Sequence, residues 1–145
     1  MSDLRIVGTY EGGDRLPIAV CRVSAGPPLP VDPELVDAVD LGELMGLTGR
    51  SFLVRVEGDS MREAGIEIDD VLVVDVGAEP VQGQIVIAGL GDGMTVKQVR
   101  FERGDMLLVP LNPRYRPIRV RDNGDVRVWG VVTALIRSYG TFEAR

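Results

Sequence analysis

The stretch SFLVRVEGDSM, Ser51–Met61, places Phe52, Val54 and Val56 at every second position, then closes on a glycine-containing turn. That period predicts a β-strand with one buried face. The pattern continues downstream in DVLVVDV (70–76), QIVIAGL (84–90), TVKQVRF (95–101), MLLVPL (106–111), IRVR (118–121) and DVRVWGVVTALIRS (125–138). Short turn signals separate these runs: GDG, ERGD, NPRYRP and DNGD. Many short strands with such spacing predict a mainly β, closed or sandwiched domain over residues 51–145.

Upstream of Ser51 the character changes. LRIVG (4–8) and LPIAVCRV (16–23) read as two short strands flanking the turn YEGGDR, and together they form an N-terminal arm, residues 1–25. SAGPPLPVDP (24–33) cannot be helical, because its prolines lack the amide proton and clash with the preceding turn. It reads as the start of an extended connector. In DLGELMGL (40–47), Asp40 can cap a short helix, with Glu43 at the capping-box position. Residues 26–50 are therefore expected to be connector plus short helix.

Composition removes several functions. The net charge is −6 and the pI about 4.7, which argues against direct, specific DNA binding, since phosphate contacts need a basic face. A single cysteine, Cys21, rules out an internal disulfide and any multi-cysteine metal site. The absence of histidine rules out Ser-His-Asp and Cys-His catalysis as well as histidine-based metal sites. The first fifteen residues lack a signal pattern, and no apolar run approaches the ~20 residues of a membrane span. The expected location is the cytoplasm.

One cation stands apart. Lys97, in TVKQV, is the chain's only lysine; every other cation is arginine. Arginine stays protonated at any relevant pH, whereas a desolvated lysine can lose its proton near neutrality and serve as a general base. In GDSM, Ser60 sits on a turn at a strand end, where its hydroxyl is displayed and its backbone can face a ligand. Ser60 as nucleophile and Lys97 as general base make a Ser–Lys dyad, with the backbone N–H groups of Asp59 and Ser60 as the oxyanion hole. Such a site uses no metal and no cofactor. Asp69, Asp70 and Asp75 read as turn and strand-end residues, Trp129 as core or dimer interface, and NPRYRP as a rigid turn.

The runs VRVEGDSMREAGIEIDDVLVVD, GQIVIAGLGDGMTVKQV, LLVPLNPRYRPI and VWGVV, in that order, resemble the LexA/UmuD family of self-cleaving proteases over roughly Val31–Arg137. The resemblance implies a LexA/signal-peptidase-like C-terminal β domain and assigns the dyad to Ser60 and Lys97. It also implies self-cleavage at a small-residue–glycine bond, for which Ala25–Gly26 is the match. A small residue suits a tight pocket, glycine admits close approach, and the following prolines hold the segment extended. The 35 residues from Ala25 to Ser60 can span more than a domain radius at ~3.3 Å each. The family's short-arm, UmuD-like branch further implies a homodimer, stimulation by a RecA–single-stranded DNA filament and assembly with a Y-family translesion polymerase. Two alternatives stand beside it: a non-catalytic interaction module, and a LexA-like or phage-type repressor relative lacking its DNA-binding domain.

Overall fold

A computed structural model of the chain describes residues 4–9, 15–19, 36–91, 93–122 and 124–140, with 4–9, 15–19 and 36–39 given by their backbone. The architecture is all-β. An antiparallel eight-stranded sheet runs in the order β1-β4-β5-β10-β6-β7-β8-β9, beside a two-stranded sheet, β2-β3. The strands are β1 (Leu4–Thr9), β2 (Arg15–Ala19), β3 (Val36–Asp40), β4 (Ser51–Val56) and β5 (Val71–Val76). They continue with β6 (Ile85–Leu90), β7 (Gly93–Glu102), β8 (Asp105–Val109), β9 (Ile118–Arg119) and β10 (Val126–Ile136). A one-turn helix, α1 (Leu41–Leu44), follows β3, and the Asp40 carboxylate accepts the Glu43 amide at 3.1 Å, as its capping position predicts.

The central strands are buried on both faces, which explains their near-continuous apolar runs. On β6, Ile87 joins one core cluster with Val54, Val56, Met61, Leu72, Val74 and Val96. Its neighbours Val86 and Ala88 join the other, with Val99, Leu108, Val126 and Val131. Successive side chains on a strand point to opposite faces, so one β-branched run feeds two cores. Trp129 is half-buried against the first cluster, its ring 5.3 Å from Phe52.

Strand β10 is the spine of the sheet. It pairs with β5 on one side and β6 on the other, and its register shifts between Val132 and Ala134 and between Val128 and Gly130. Gly130 is also hemmed in by β5: a Cβ there would stand 2.7 Å from both the Asp75 carbonyl oxygen and Val74 Cγ1. Backbone cannot yield there as a flexible side chain could.

The N-terminal strands do not pair with each other. β1 lies on the outer edge of β4, from Leu4↔Val56 to Thr9↔Phe52, with a register shift between Ile6 and Gly8. β2 pairs instead with β3, from Arg15↔Asp40 to Ala19↔Val36. Pairing with β4 satisfies backbone donors and acceptors that an open sheet edge would leave bare, a stronger demand than the local turn. β1 also lies near β7, so the sheet curls and brings its β1 edge towards its sixth strand.

This pairing has a testable consequence. Residues 20–35 connect β2 to β3, so a backbone break anywhere in that segment severs the chain but leaves the β1–β4 and β2–β3 pairings in place. Limited proteolysis there is expected to give two fragments that co-elute on native gel filtration and separate in denaturant. Loss of the N-terminal fragment without denaturant would show that the pairings do not hold it.

Candidate active site

Ser60 follows β4 on a turn that leads into a single 3-10 turn, Arg62–Ala64. The turn is anchored from below. Met61 is 1% exposed within the first core cluster, and its carbonyl accepts the amides of Ala64 and Ile66 at 3.0 and 3.3 Å. With Met61 held in the core, Ser60 is turned inward and is also 1% exposed.

Lys97 lies on β7 opposite Val86 of β6. On the other side of β7, pairing with β8 begins only at Gln98↔Val109. The preceding half of β7 therefore offers its backbone elsewhere. The Val96 carbonyl accepts from Ser60 Oγ at 3.2 Å and from Lys97 Nζ at 3.1 Å. Alternation along the strand sends Val96 into the core and Lys97 to the face shared with Thr95, as the sequence predicts.

The structure brings Ser60 and Lys97 together. Nζ is 2.9 Å from Ser60 Oγ, 2.6 Å from Thr95 Oγ1 and 3.1 Å from the Val96 oxygen, and Lys97 is 4% exposed. Three oxygens within 3.1 Å match the three N–H bonds of an ammonium group. They serve a neutral amine equally well. Two N–H bonds then face Thr95 Oγ1 and the Val96 carbonyl, and the lone pair faces Ser60. The serine hydroxyl needs only to rotate from the Val96 oxygen to Nζ. The arrangement can thus pass a proton between oxygen and nitrogen without moving a heavy atom.

Asp59 sits in the same turn, held by the loop after β8. Asn112, 6% exposed, donates from Nδ2 to the Asp59 carbonyl at 2.8 Å. The Tyr115 hydroxyl donates to Asp59 Oδ1 at 2.7 Å, and its ring centroid lies 6.0 Å from Lys97 Nζ. NPRYRP, read from sequence as a rigid turn, also reaches into the site. Sequence reasoning also gave no role to Thr95, although it stands two residues from Lys97 on the same strand face. The Val96 carbonyl is main chain and leaves no sequence signal. Ala25 and Gly26 lie outside the described residues, as does Cys21. Among the described residues, no group of three His, Cys, Asp or Glu is arranged to hold a metal, and no helix is long and apolar enough to cross a membrane.

The Peptidase S24-like family profile matches residues 17–133. A LexA repressor of Bordetella parapertussis is 38% identical over 119 residues, covering 82% of this chain and 55% of that protein. One from Desulfatibacillum aliphaticivorans is 38% identical over 127 residues, 86% of this chain and 62% of that protein. One from Xylella fastidiosa is 36% identical over 123 residues, 85% and 58%. The chain thus spans a little over half the length of these curated relatives.

The serine's loop is tied down again at its far end. Asp70, 2% exposed, accepts Arg137 Nε at 2.7 Å and Nη2 at 2.6 Å, as well as the Glu67 amide at 2.7 Å. Arg137 Nη2 also donates to the Gly65 carbonyl at 2.6 Å. A groove beside this pair, with Arg55, Ile68 and Ile136 in its walls, includes neither Ser60 nor Lys97. Burial by itself would raise the Asp70 pKa; the Arg137 and Glu67 hydrogen bonds outweigh it and hold the carboxyl below its usual range. Because the folded pKa is depressed, the stabilisation is complete above the ordinary carboxylate range and is lost as the pH falls through and below it. Arg137→Ala leaves a buried unpaired carboxylate and is expected to cost about 3 kcal/mol at pH 7. In urea titrations the gap between variant and wild type should be narrower at pH 3 than at pH 7, because the unfolded chain takes up there the proton that the native ion pair resists. An equal gap at both pH values would deny the pair this role.

Proposed function

The chain belongs to the Peptidase S24-like family, and on that premise we propose that Ser60 and Lys97 are its catalytic dyad and that it cuts its own backbone at Ala25–Gly26. The observation that carries this reading is the 2.9 Å contact between Lys97 Nζ and Ser60 Oγ in a site closed to solvent. Neutral Lys97 takes the Ser60 proton as Oγ attacks the Ala25 carbonyl carbon. The resulting oxyanion is met by backbone N–H groups at Asp59 and Ser60. The intermediate collapses, the Ala25–Gly26 C–N bond breaks, and the Lys97 ammonium protonates the leaving Gly26 amine. Water, deprotonated by Lys97, then hydrolyses the Ala25 ester and regenerates Ser60.

The charge state of Lys97 sets the pH dependence. Only the neutral amine can accept a proton, so cleavage is expected to speed up about tenfold per pH unit on the acid side and to level off once the amine predominates. Mass spectrometry should find a new N-terminus at Gly26. Lys97→Arg keeps the charge but cannot release a proton at these pH values, so it should cut at no pH. Cutting by that variant would remove Lys97 from the role of base. An intact wild-type chain after prolonged alkaline incubation and after exposure to activated RecA filaments would end the protease reading.

The wider setting we infer is that of a UmuD-like accessory protein: a homodimer, stimulated by a RecA–single-stranded DNA filament, whose shortened form joins a Y-family translesion polymerase. One feature supports it: the chain is acidic, which disfavours direct contact with DNA phosphates. A second reading, a transcriptional repressor relative, is favoured by the names of the relatives. Co-purification of the cleaved protein with a Y-family polymerase, and no retention on an operator-like duplex, is the expected result; the reverse outcome selects the repressor.

A further inference from the structure

The loop Leu111–Tyr115 makes three hydrogen bonds to the turn that carries Ser60. The Glu63 amide donates to the Leu111 carbonyl at 2.8 Å, Asn112 Nδ2 to the Asp59 carbonyl at 2.8 Å, and the Tyr115 hydroxyl to Asp59 Oδ1 at 2.7 Å. Asn112 is itself locked. Its Oδ1 accepts the Arg114 amide at 3.0 Å and its carbonyl accepts the Tyr115 amide at 3.1 Å, so Nδ2 can face only one way. Main chain and side chain of Asp59 are thus gripped by one short loop from a distant part of the chain.

The consequence falls on Ser60. A trans peptide is planar, and the carbonyl of one residue points opposite to the N–H of the next. The Asp59 carbonyl is pinned by Asn112 Nδ2 and by the Arg62 amide at 3.2 Å. Pinning it fixes the direction of the Ser60 N–H, which must point away from Asn112.

We propose that Asn112 and Tyr115 are positioning residues that aim the Ser60 N–H at the developing oxyanion through the 59–60 peptide plane. The inference rests on Ser60 being the nucleophile. It assigns the loop to transition-state charge rather than to proton abstraction by Lys97. Neither residue touches the scissile bond in this scheme.

The test is the pH–rate profile of self-cleavage in the full-length chain. Loss of one aimed oxyanion donor slows enzymes by roughly 100-fold or more. Asn112→Ala, which frees the peptide to rotate, is therefore expected to lower the alkaline plateau by roughly 10- to 100-fold. Tyr115→Phe keeps the ring beside Lys97 and removes the bond to Asp59 while leaving the Asn112 bond in place, so its loss should be smaller. Both profiles should keep the wild-type midpoint, since the amine is untouched. Thermal melts check folding; if the buried Asn112 variant fails to fold, the exposed Tyr115 variant decides. Plateau rates within twofold of wild type in the folded variants overturn the proposal, and so does a loss that comes with a shifted midpoint. A wild-type chain that never cuts removes the premise itself, a result separable from a wild type that cuts alongside variants that cut equally well.

Discussion

The contact between Lys97 Nζ and Ser60 Oγ is the constraint around which the fold is arranged. A lysine that is 4% exposed must exchange its hydration for fixed oxygens, or burial is too costly. Among the described residues three are supplied, from Thr95, Val96 and Ser60. Two of these come from Lys97's own strand and its side-chain neighbour, so they travel with it. The third comes from 37 positions upstream and requires the sheet to bend. β4 and β7 are separated in the sheet by β5, β10 and β6, and they meet because the sheet curls towards its β1 edge.

That curl depends on features remote from the site. β10 pairs with both β5 and β6 through two register shifts, and Gly130 leaves no room for a Cβ against Asp75 of β5. Register irregularities increase local twist and bend, which a flat sheet of this width would lack. Asp70 and Arg137 then tie the end of β10 to the segment that follows the serine turn. A change at the C-terminal end of the sheet therefore bears on the loop that carries Ser60 through covalent and ionic links, with no direct contact needed.

The N-terminal arm is bound by two separate ladders, one to the main sheet and one to β3. Under the proposed cleavage at Ala25–Gly26, cutting and release are distinct events. Scission converts an intramolecular strand pairing into one that depends on concentration. A partner that competes for the edge of β4 would then drive release, and the peptide bond only licenses it.

Much of this was legible in the sequence. Period-2 and β-branched runs marked the strands from Ser51 onward because burial on one or both faces is a local demand on residue type. The sole lysine and the missing histidines pointed to a Ser–Lys pair because side-chain chemistry is a property of residues, independent of fold. The capping of α1 by Asp40 was readable for the same reason. What the sequence left undecided is every relation set by long-range pairing. The two strands flanking YEGGDR were legible as strands but their partners were not: one pairs with β4 and the other with β3, because an open edge on β4 can be satisfied only after the sheet has formed. The loop 111–115 looked like punctuation, yet it grips Asp59, and the Val96 carbonyl that both site residues share is main chain and identical in every amino acid. Residue type determined which chemistry was possible; the curl of the sheet decided which atoms meet, because distances between residues far apart in the chain exist only once the strands are paired.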